Sequence, residues 1–306
     1  MNAGSEKRPA VLSIGRIYCD LIFTGLASLP EPGREVFARD MKMAAGGGAF
    51  IAAAHLAHTG RQVALVARLG TDFLSAGLEN ELRESGADLR FLERSPGAGP
   101  QVTVAAVIGN DRAFLSRRAG SALPATLDDA LDWHVAGHLH IAEYATLDEI
   151  PDLVDRAKAK GLTVSLDPSW DETLIYDPGF IGKCAGVDVF LPNIEEAAAI
   201  TGIEDPVSAA KILSEAFPIV ALKAGADGAW LTASGRLLHK PADDVSVIDT
   251  TGAGDAFNAG FLDGWLSGES EEACLAAGVT FGSYAVQAAG GTAILSQPAM
   301  AVGTDG

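Results

Sequence analysis

The chain is short of cysteine, of basic residues and of long apolar runs, and each shortage excludes something. Three cysteines occur among 306 residues, Cys19, Cys184 and Cys274. They are far apart, odd in number and form no C-x-x-C spacing. A disulfide framework and a cysteine-based zinc site are therefore not expected, and a reducing cytoplasm fits. Lysine and arginine total 22 against 40 acidic residues, for a net charge of −18. A surface that acidic repels nucleic acid and anionic membrane, so neither is expected as a partner. No apolar run reaches the roughly 18 residues of a membrane span. The opening residues 1–15 hold a short apolar patch that reads as a first strand, not as a signal-peptide core. Two phosphate-binding fingerprints, G-x-x-x-x-G-K-[ST] and G-x-G-x-x-G, are also missing. Any phosphate must be held by another local device.

What is present suffices for a packed core. Hydrophobic residues make up 48% and charged residues 20%, which excludes a disordered chain. The length suits one large domain spanning 1–306. β-Branched and leucine-rich runs recur at 11–14, 63–66, 102–108, 138–141, 163–166, 187–191 and 219–222. Helical patterns lie between several of them, at 49–58, 77–85, 147–160, 194–201, 207–217 and 256–267. This alternation predicts an α/β fold with a mostly parallel sheet covered on both faces. Gly60, Gly161 and Gly202 stand where left-handed helix stops belong. Two segments break the rhythm. Residues of about 17–43, with P-E-P-G at 30–33, and of about 99–119, turned at G-N-D-R (109–112), read as a small separate β-sheet. Such a sheet is either a lid over a cleft or a pair of ordinary surface hairpins.

The most informative stretch is D-T-T-G-A-G-D-A-F-N-A-G-F-L, residues 249–262. A strand is expected over 245–248 and a helix from Ala256 onward. Gly252, Ala253 and Gly254 then occupy a strand-to-helix turn. The first amides of a helix are unpaired, and with the helix dipole they form an anion site. The glycines let a phosphate approach the backbone. Asp255 is the odd residue there, because a carboxylate repels a neighbouring anion. It serves either as a first-turn capping residue or as a base that accepts a hydroxyl proton during phosphoryl transfer. Asp249 is either a cation ligand or a turn former.

Other candidates have two readings each. Asp20 ends a predicted strand, and a carboxylate there can bind a sugar diol or simply face solvent. Gly46-Gly47-Gly48 precedes an alanine-rich helix and is a close-approach site or a flexible turn. Asn193 and Glu196 share one helix face at i, i+3. They form a capping box or position phosphate and, through water, magnesium. Lys223 meets a nucleotide phosphate or snorkels to solvent. Arg117 or Arg118 touches an anionic ligand or is a plain surface charge. His55 with His58, and His138 with His140, have no third ligand nearby.

Residues 249–255 closely resemble the second signature of the ribokinase-like carbohydrate kinases, the PfkB family. In that family the G-A-G-D amides form the anion hole and the Asp is the catalytic base. Gly252, Ala253, Gly254 and Asp255 match completely. Gly15 with Asp20 resembles the N-terminal strand whose Asp binds sugar hydroxyls. Gly46-Gly47, the helix over 49–58 and Gly60 resemble the first signature, whose glycines contact substrate. Asn193-Ile194-Glu195-Glu196 matches the N-x-x-E pattern tied to phosphate and magnesium. Lys223, Gly225 and Gly228 fall in a segment like the nucleotide loop. Two positions depart from the pattern. Ile51 stands where the family usually has a substrate-binding Asn, and Ser169 replaces the Asn of the D-P-N segment that begins at Asp167.

The resemblance implies a ribokinase-like three-layer sandwich with a β-sheet lid. It implies ATP and Mg2+ as cofactors. It also implies a potassium ion held by backbone carbonyls of the loop 285–292 and of the segment near Asp249 and Thr251. A sugar, or a nucleoside in the nearest alternative, would be the acceptor. A homodimer through the lid is also implied. A nucleotide- or sugar-sensing protein of the same fold, without turnover, is the alternative of a different class.

Overall fold

The computed structural model describes residues 9–108 and 111–296. Chain order gives thirteen strands. They are β1 (Ala10–Ile14), β2 (Tyr18–Thr24), β3 (Asp40–Gly46), β4 (Val63–Leu69), β5 (Leu92–Arg94), β6 (Val102–Ile108) and β7 (Asp111–Arg117). There follow β8 (Ala136–Ile141), β9 (Thr163–Leu166), β10 (Val189–Phe190), β11 (Ile219–Lys223), β12 (Ala229–Ala233) and β13 (Arg236–Lys240). Nine of them form one sheet in the order β13-β12-β11-β10-β9-β8-β1-β4-β5. The seven strands from β11 to β5 are parallel, and the β12–β13 hairpin closes one edge in the antiparallel sense.

The two-residue period of a strand decides the layers. Leu12 and Ile14 join a core with Leu139, Val164, Phe190 and Val220. Val11 points the other way, with Leu65, Ala53 and Leu56. The helices Leu127–Leu131, Leu153–Ala159 and Pro206–Leu213 contribute to the first face. The helices Gly48–His58, Ala253–Leu266 and Glu271–Ala285 cover the second. All five residues of β1 are buried, as a strand covered on both sides requires. The result is the expected three-layer α/β sandwich.

A second sheet stands apart, in the order β3-β2-β6-β7. It draws on the two segments that interrupt the αβ rhythm. Its β6–β7 turn contains Gly109 and Asn110, which lie outside the described residues.

Several sequence expectations are corrected. No strand forms over 245–248. The Ile248 and Asp249 amides both donate to the Val286 carbonyl, so this segment follows the 286–290 turn and leaves the sheet edge to β12 and β13. The helix expected over 147–160 is two helices, Tyr144–Glu149 and Leu153–Ala159. Pro151 lies between them, where it lacks an N–H and bars helical geometry at Ile150. The helix expected over 77–85 is likewise two short ones, Phe73–Gly77 and Glu79–Glu84, the first capped by the Asp72 side chain. The strand expected over 187–191 pairs only at Val189 and Phe190. Among the described residues no helix is long and apolar enough to cross a membrane.

Candidate active site

The candidate residues gather at the C-terminal ends of the parallel strands, where open α/β sheets bind ligands. Asp167 follows β9, Asn193 follows β10 and Lys223 ends β11. The helix Ala253–Leu266 begins beside them. Its N-cap is Gly252, at φ 75°, a left-handed conformation that favours glycine. The space there is also closed to any side chain. A methyl group on Gly252 would lie 2.6 Å from Gly291 Cα and 3.2 Å from Ile51 Cγ2. Ile51 is thus packed against this turn, with only 3% of its surface exposed.

Gly46, Gly47 and Gly48 form a floor under two carboxylates. A methyl on Gly46 would sit 2.0 Å from Asp20 Oδ2, and one on Gly48 would sit 2.8 Å from Asp255 Oδ1. Gly47 is held at φ 96°, with no room toward the Arg16 carbonyl. The small sheet therefore brings Asp20, and the main body brings Asp255, to the same three glycines.

The electrostatics of these carboxylates are unusual. Burial pushes Asp255 up to about 7; Asp167 and Asp20 raise it further, while Lys223 opposes the rise. Burial also pushes Asp20 up to about 7, helped by Glu81 and Asp249. Glu143, which follows β8, is raised by burial against the pull of the Thr146 hydroxyl and Arg16. A carboxylate poised near neutrality is suited to proton transfer.

Beneath Asp255 lies a buried polar network. Lys223 Nζ donates to Asp167 Oδ2 at 2.5 Å, and Asn258 Nδ2 donates to the same oxygen at 2.6 Å. Asp167 Oδ1 accepts the Ser169 amide at 2.9 Å. Burial works to lower the pKa of Lys223, but Asp167, Glu196 and Asp255 outweigh it and raise the value. The sequence reading assigned Asp167 to substrate and Lys223 to nucleotide. The structure pairs them with each other. Asn258 was not singled out, although a polar residue one turn after Asp255 on an otherwise apolar helix face was its signal.

Asn193 and Glu196 complete a reciprocal capping box. Asn193 Oδ1 accepts the Glu196 amide and Glu196 Oε2 accepts the Asn193 amide, each at 2.8 Å. Burial, then Asp167, raises the Glu196 pKa. Arg118 pairs with Asp171, and Arg117 donates to the Pro100 carbonyl. His138 and His140 both bond Ser165, and His55 Nε2 bonds the Gly291 carbonyl at 2.9 Å.

Asp249 is a hub. Its Oδ1 accepts from the Thr251 amide and hydroxyl, and its Oδ2 accepts the Gly290 amide. Arg112, on β7, also donates to Oδ1, at 2.7 Å. Arg112 was missed because an arginine beside a hairpin turn carries no sequence mark of a distant partner. Burial disfavours the charged form of Asp249, yet these donors outweigh it and lower its pKa.

A cleft of about 580 Å³ adjoins the Gly252 turn. Lys223, Gly225, Gly228, Ala253 and Gly254 are among its lining residues, and Phe257, Val279 and Val286 give it an apolar wall. Gly228 is at φ 86°, and a methyl there would lie 2.0 Å from the Lys240 carbonyl. The cleft thus pairs an apolar wall with a helix N-terminus, which suits a ligand with a flat apolar part and an anionic tail.

Comparison with known proteins gives a consistent picture. Residues 8–298 match the family described as pfkB family carbohydrate kinase. The chain is 32% identical over 275 residues to the ATP-dependent ribose-1-phosphate kinase of Halopiger xanaduensis, covering 86% of this chain and 87% of that one. It is 30% identical over 255 residues to 2-dehydro-3-deoxygluconokinase of Bacillus subtilis, covering 77% and 78%. The solved structure of Arabidopsis thaliana ribokinase with ribose and ATP superposes with a TM-score of 0.81 at 24% identity, over 95% of this chain and 96% of that one.

Proposed function

Because the chain belongs to the pfkB family of carbohydrate kinases, we propose that it moves the γ-phosphate of ATP to a hydroxymethyl group of an acceptor held between the two sheets. Asp255 is the base in this reading. The observation that carries it is the placement of a carboxylate, with its pKa pushed to about 7, in the first turn of the helix that Gly252 caps.

The acceptor hydroxyl oxygen attacks the γ-phosphorus, the bond to the β–γ bridging oxygen breaks, and the hydroxyl proton passes to Asp255. In a loose transition state that proton leaves late, so a weak, well-placed base suffices. The amides of residues 252–255 stabilise the transferring group. Asp20, Gly46 and Gly47 hold the acceptor. The 580 Å³ cleft takes the nucleotide, with Gly225 and Gly228 in its lining. The Lys223–Asp167 pair and the Asn193–Glu196 box fix the strand ends behind the site.

Magnesium bound with the triphosphate would neutralise phosphate charge, and Glu196 would hold it through water. The side chains of Asp249 and Thr251 do not fit a potassium ion. Asp249 Oδ1 already accepts three donors, from Arg112, the Thr251 amide and the Thr251 hydroxyl, Oδ2 accepts the Gly290 amide, and the Arg112 guanidinium brings the positive charge.

The small sheet acts as the lid of a single-domain kinase in this reading. Its Asp20 rests on the same Gly46–Gly48 run as Asp255, which supports the assignment. Its other face exposes Met41 and Leu115, which supports a homodimer through the lid. Three buried free cysteines suit the cytoplasm. A sugar is the leading acceptor and a nucleoside the alternative. ADP release from MgATP across sugars, sugar acids, sugar phosphates and nucleosides tests the proposal. One strong acceptor, silent with Asp255→Asn, is expected. ATP binding without ADP release for any acceptor would point to a sensor instead.

A further inference from the structure

Asp249 is where the sequence reading placed a monovalent cation, and the structure puts a guanidinium there. Arg112 belongs to an edge strand of the small sheet. The register sets Asp20 opposite Thr103, and Thr103 opposite Ser116. Arg112 is four residues from Ser116, so it shares their face of the sheet. That face looks toward the body, where Arg112 reaches Asp249 and Lys42, on the same face, reaches the Ala289 carbonyl. Arg112 Nη1 donates to Asp249 Oδ1 at 2.7 Å and to Thr251 Oγ1 at 3.0 Å, and Nη2 donates to the Thr250 hydroxyl. One planar fork thus grips three consecutive residues that end directly before Gly252.

The opposite edge strand does the same on a smaller scale. Lys42 of β3 donates to the Ala289 carbonyl at 3.0 Å. Gly290, the next residue, is bonded to Asp249 Oδ2 at 2.9 Å. The two edges of the small sheet therefore hold the two backbone segments that meet at Asp249.

We propose that Arg112 supplies the positive charge at Asp249 that a monovalent cation would otherwise supply. It thereby positions the 249–252 turn when the small sheet is closed. This rests on reading residues 252–255 as the anion hole. Arg112 is a positioning residue, since it touches no reacting atom. Its geometry suits the task. A guanidinium offers several donors in a rigid plane, whereas an ammonium is a point charge. Closure of the small sheet and order in the turn become one event, so the anion hole is complete only over a sequestered acceptor.

The test uses the full chain and four proteins: wild type, Arg112→Gln, Arg112→Lys and Thr250→Val. Turnover is measured in potassium chloride and in choline chloride at equal ionic strength. Amide hydrogen exchange of residues 251–256 is measured with a non-hydrolysable ATP analogue. Wild-type turnover should be equal in the two salts within about twofold. Arg112→Gln should lower kcat by about ten- to a hundredfold, the scale of a misplaced catalytic group, with KM for ATP little changed. It should also speed exchange over 251–256. Arg112→Lys should recover part of both, and Thr250→Val should fall between.

Wild-type turnover that collapses without potassium would overturn the proposal. So would wild-type kcat and unchanged exchange in Arg112→Gln, even with a lower Tm, because that marks a plain structural ion pair. If Arg112→Gln does not fold, unchanged exchange in Thr250→Val overturns it instead. The exchange arm needs no acceptor. A failure of the kinase reading, seen as no ADP with any acceptor, is therefore separate from a failure of the Arg112 assignment.

Discussion

Asp20, on the small sheet, and Asp255, on the helix Ala253–Leu266, are 235 positions apart in sequence and rest against one run of three glycines. Methyl groups on Gly46 and Gly48 would lie 2.0 Å and 2.8 Å from their respective carboxylate oxygens. Both carboxylates are half-buried, and the loss of solvent around them raises each to about 7. In the proposed function Asp20 holds the acceptor and Asp255 takes its proton.

Removal of the base tests the chemistry. Asp255→Asn keeps the shape of the side chain but cannot take a proton. Turnover should fall by about 10² to 10⁴, the usual contribution of a general base. Binding of a non-hydrolysable ATP analogue, measured by calorimetry, should stay within a few-fold of wild type. Turnover close to wild type would remove the assignment.

The pH dependence follows from the raised pKa. The ionised form of Asp255 is the active one, so kcat/KM should rise with pH and be lost as pH falls through about 7. Stability has the opposite sign. The folded protein holds this proton more tightly than the unfolded chain, so the contribution is present at low pH. It is lost as pH climbs from the ordinary Asp value toward about 7. Asp255→Asn should therefore raise Tm at pH 8 and change it little near pH 4. An acid limb at the ordinary carboxylate value, near 4, would contradict this account.

The Lys223–Asp167 pair should behave as a buried ion pair. Side-chain exposures of 12% and 7% leave little solvent to absorb an unpaired charge. Lys223→Met should cost about 3–5 kcal/mol in urea unfolding, the usual result of removing one partner. It should also move the acid limb of kcat/KM to higher pH, because Lys223 holds the Asp255 value down. A mild stability loss with an unmoved limb would show that the lysine is solvated.

Gly46 separates acceptor from nucleotide. Gly46→Ala forces the Asp20 carboxylate aside. KM for the acceptor should rise tenfold or more, about the effect of one lost well-placed hydrogen bond to a charged group. ATP binding should be unaffected. Equal damage to both substrates would place Gly46 in a general folding role.

Much of this site was legible before any coordinates. The run from Asp249 to Asp255 carried its own local physics: a turn, glycines that permit it, and a helix start that attracts anions. The Asn193–Glu196 box was legible for the same reason, because capping acts over three residues. Pro151 was visible, yet its power to split a helix was overlooked. The residues 245–248 looked like a strand because they alternate, but pairing depends on which edge is already filled.

Arg112 and Glu143 were beyond the sequence reading for a different cause. Each acts on a residue far along the chain, and nothing within a few positions records that partner. By itself the sequence determined the strand–helix alternation and the glycine turn that opens a helix beside a carboxylate, since these depend on spacing and residue type. Only the tertiary structure decided that Lys223 answers Asp167, that Asp20 shares its glycines with Asp255, and that a guanidinium stands at Asp249. Those pairings arise where strand ends from distant parts of the chain meet. Burial at that junction is also what moves the pKa values, and burial is a property of the whole fold.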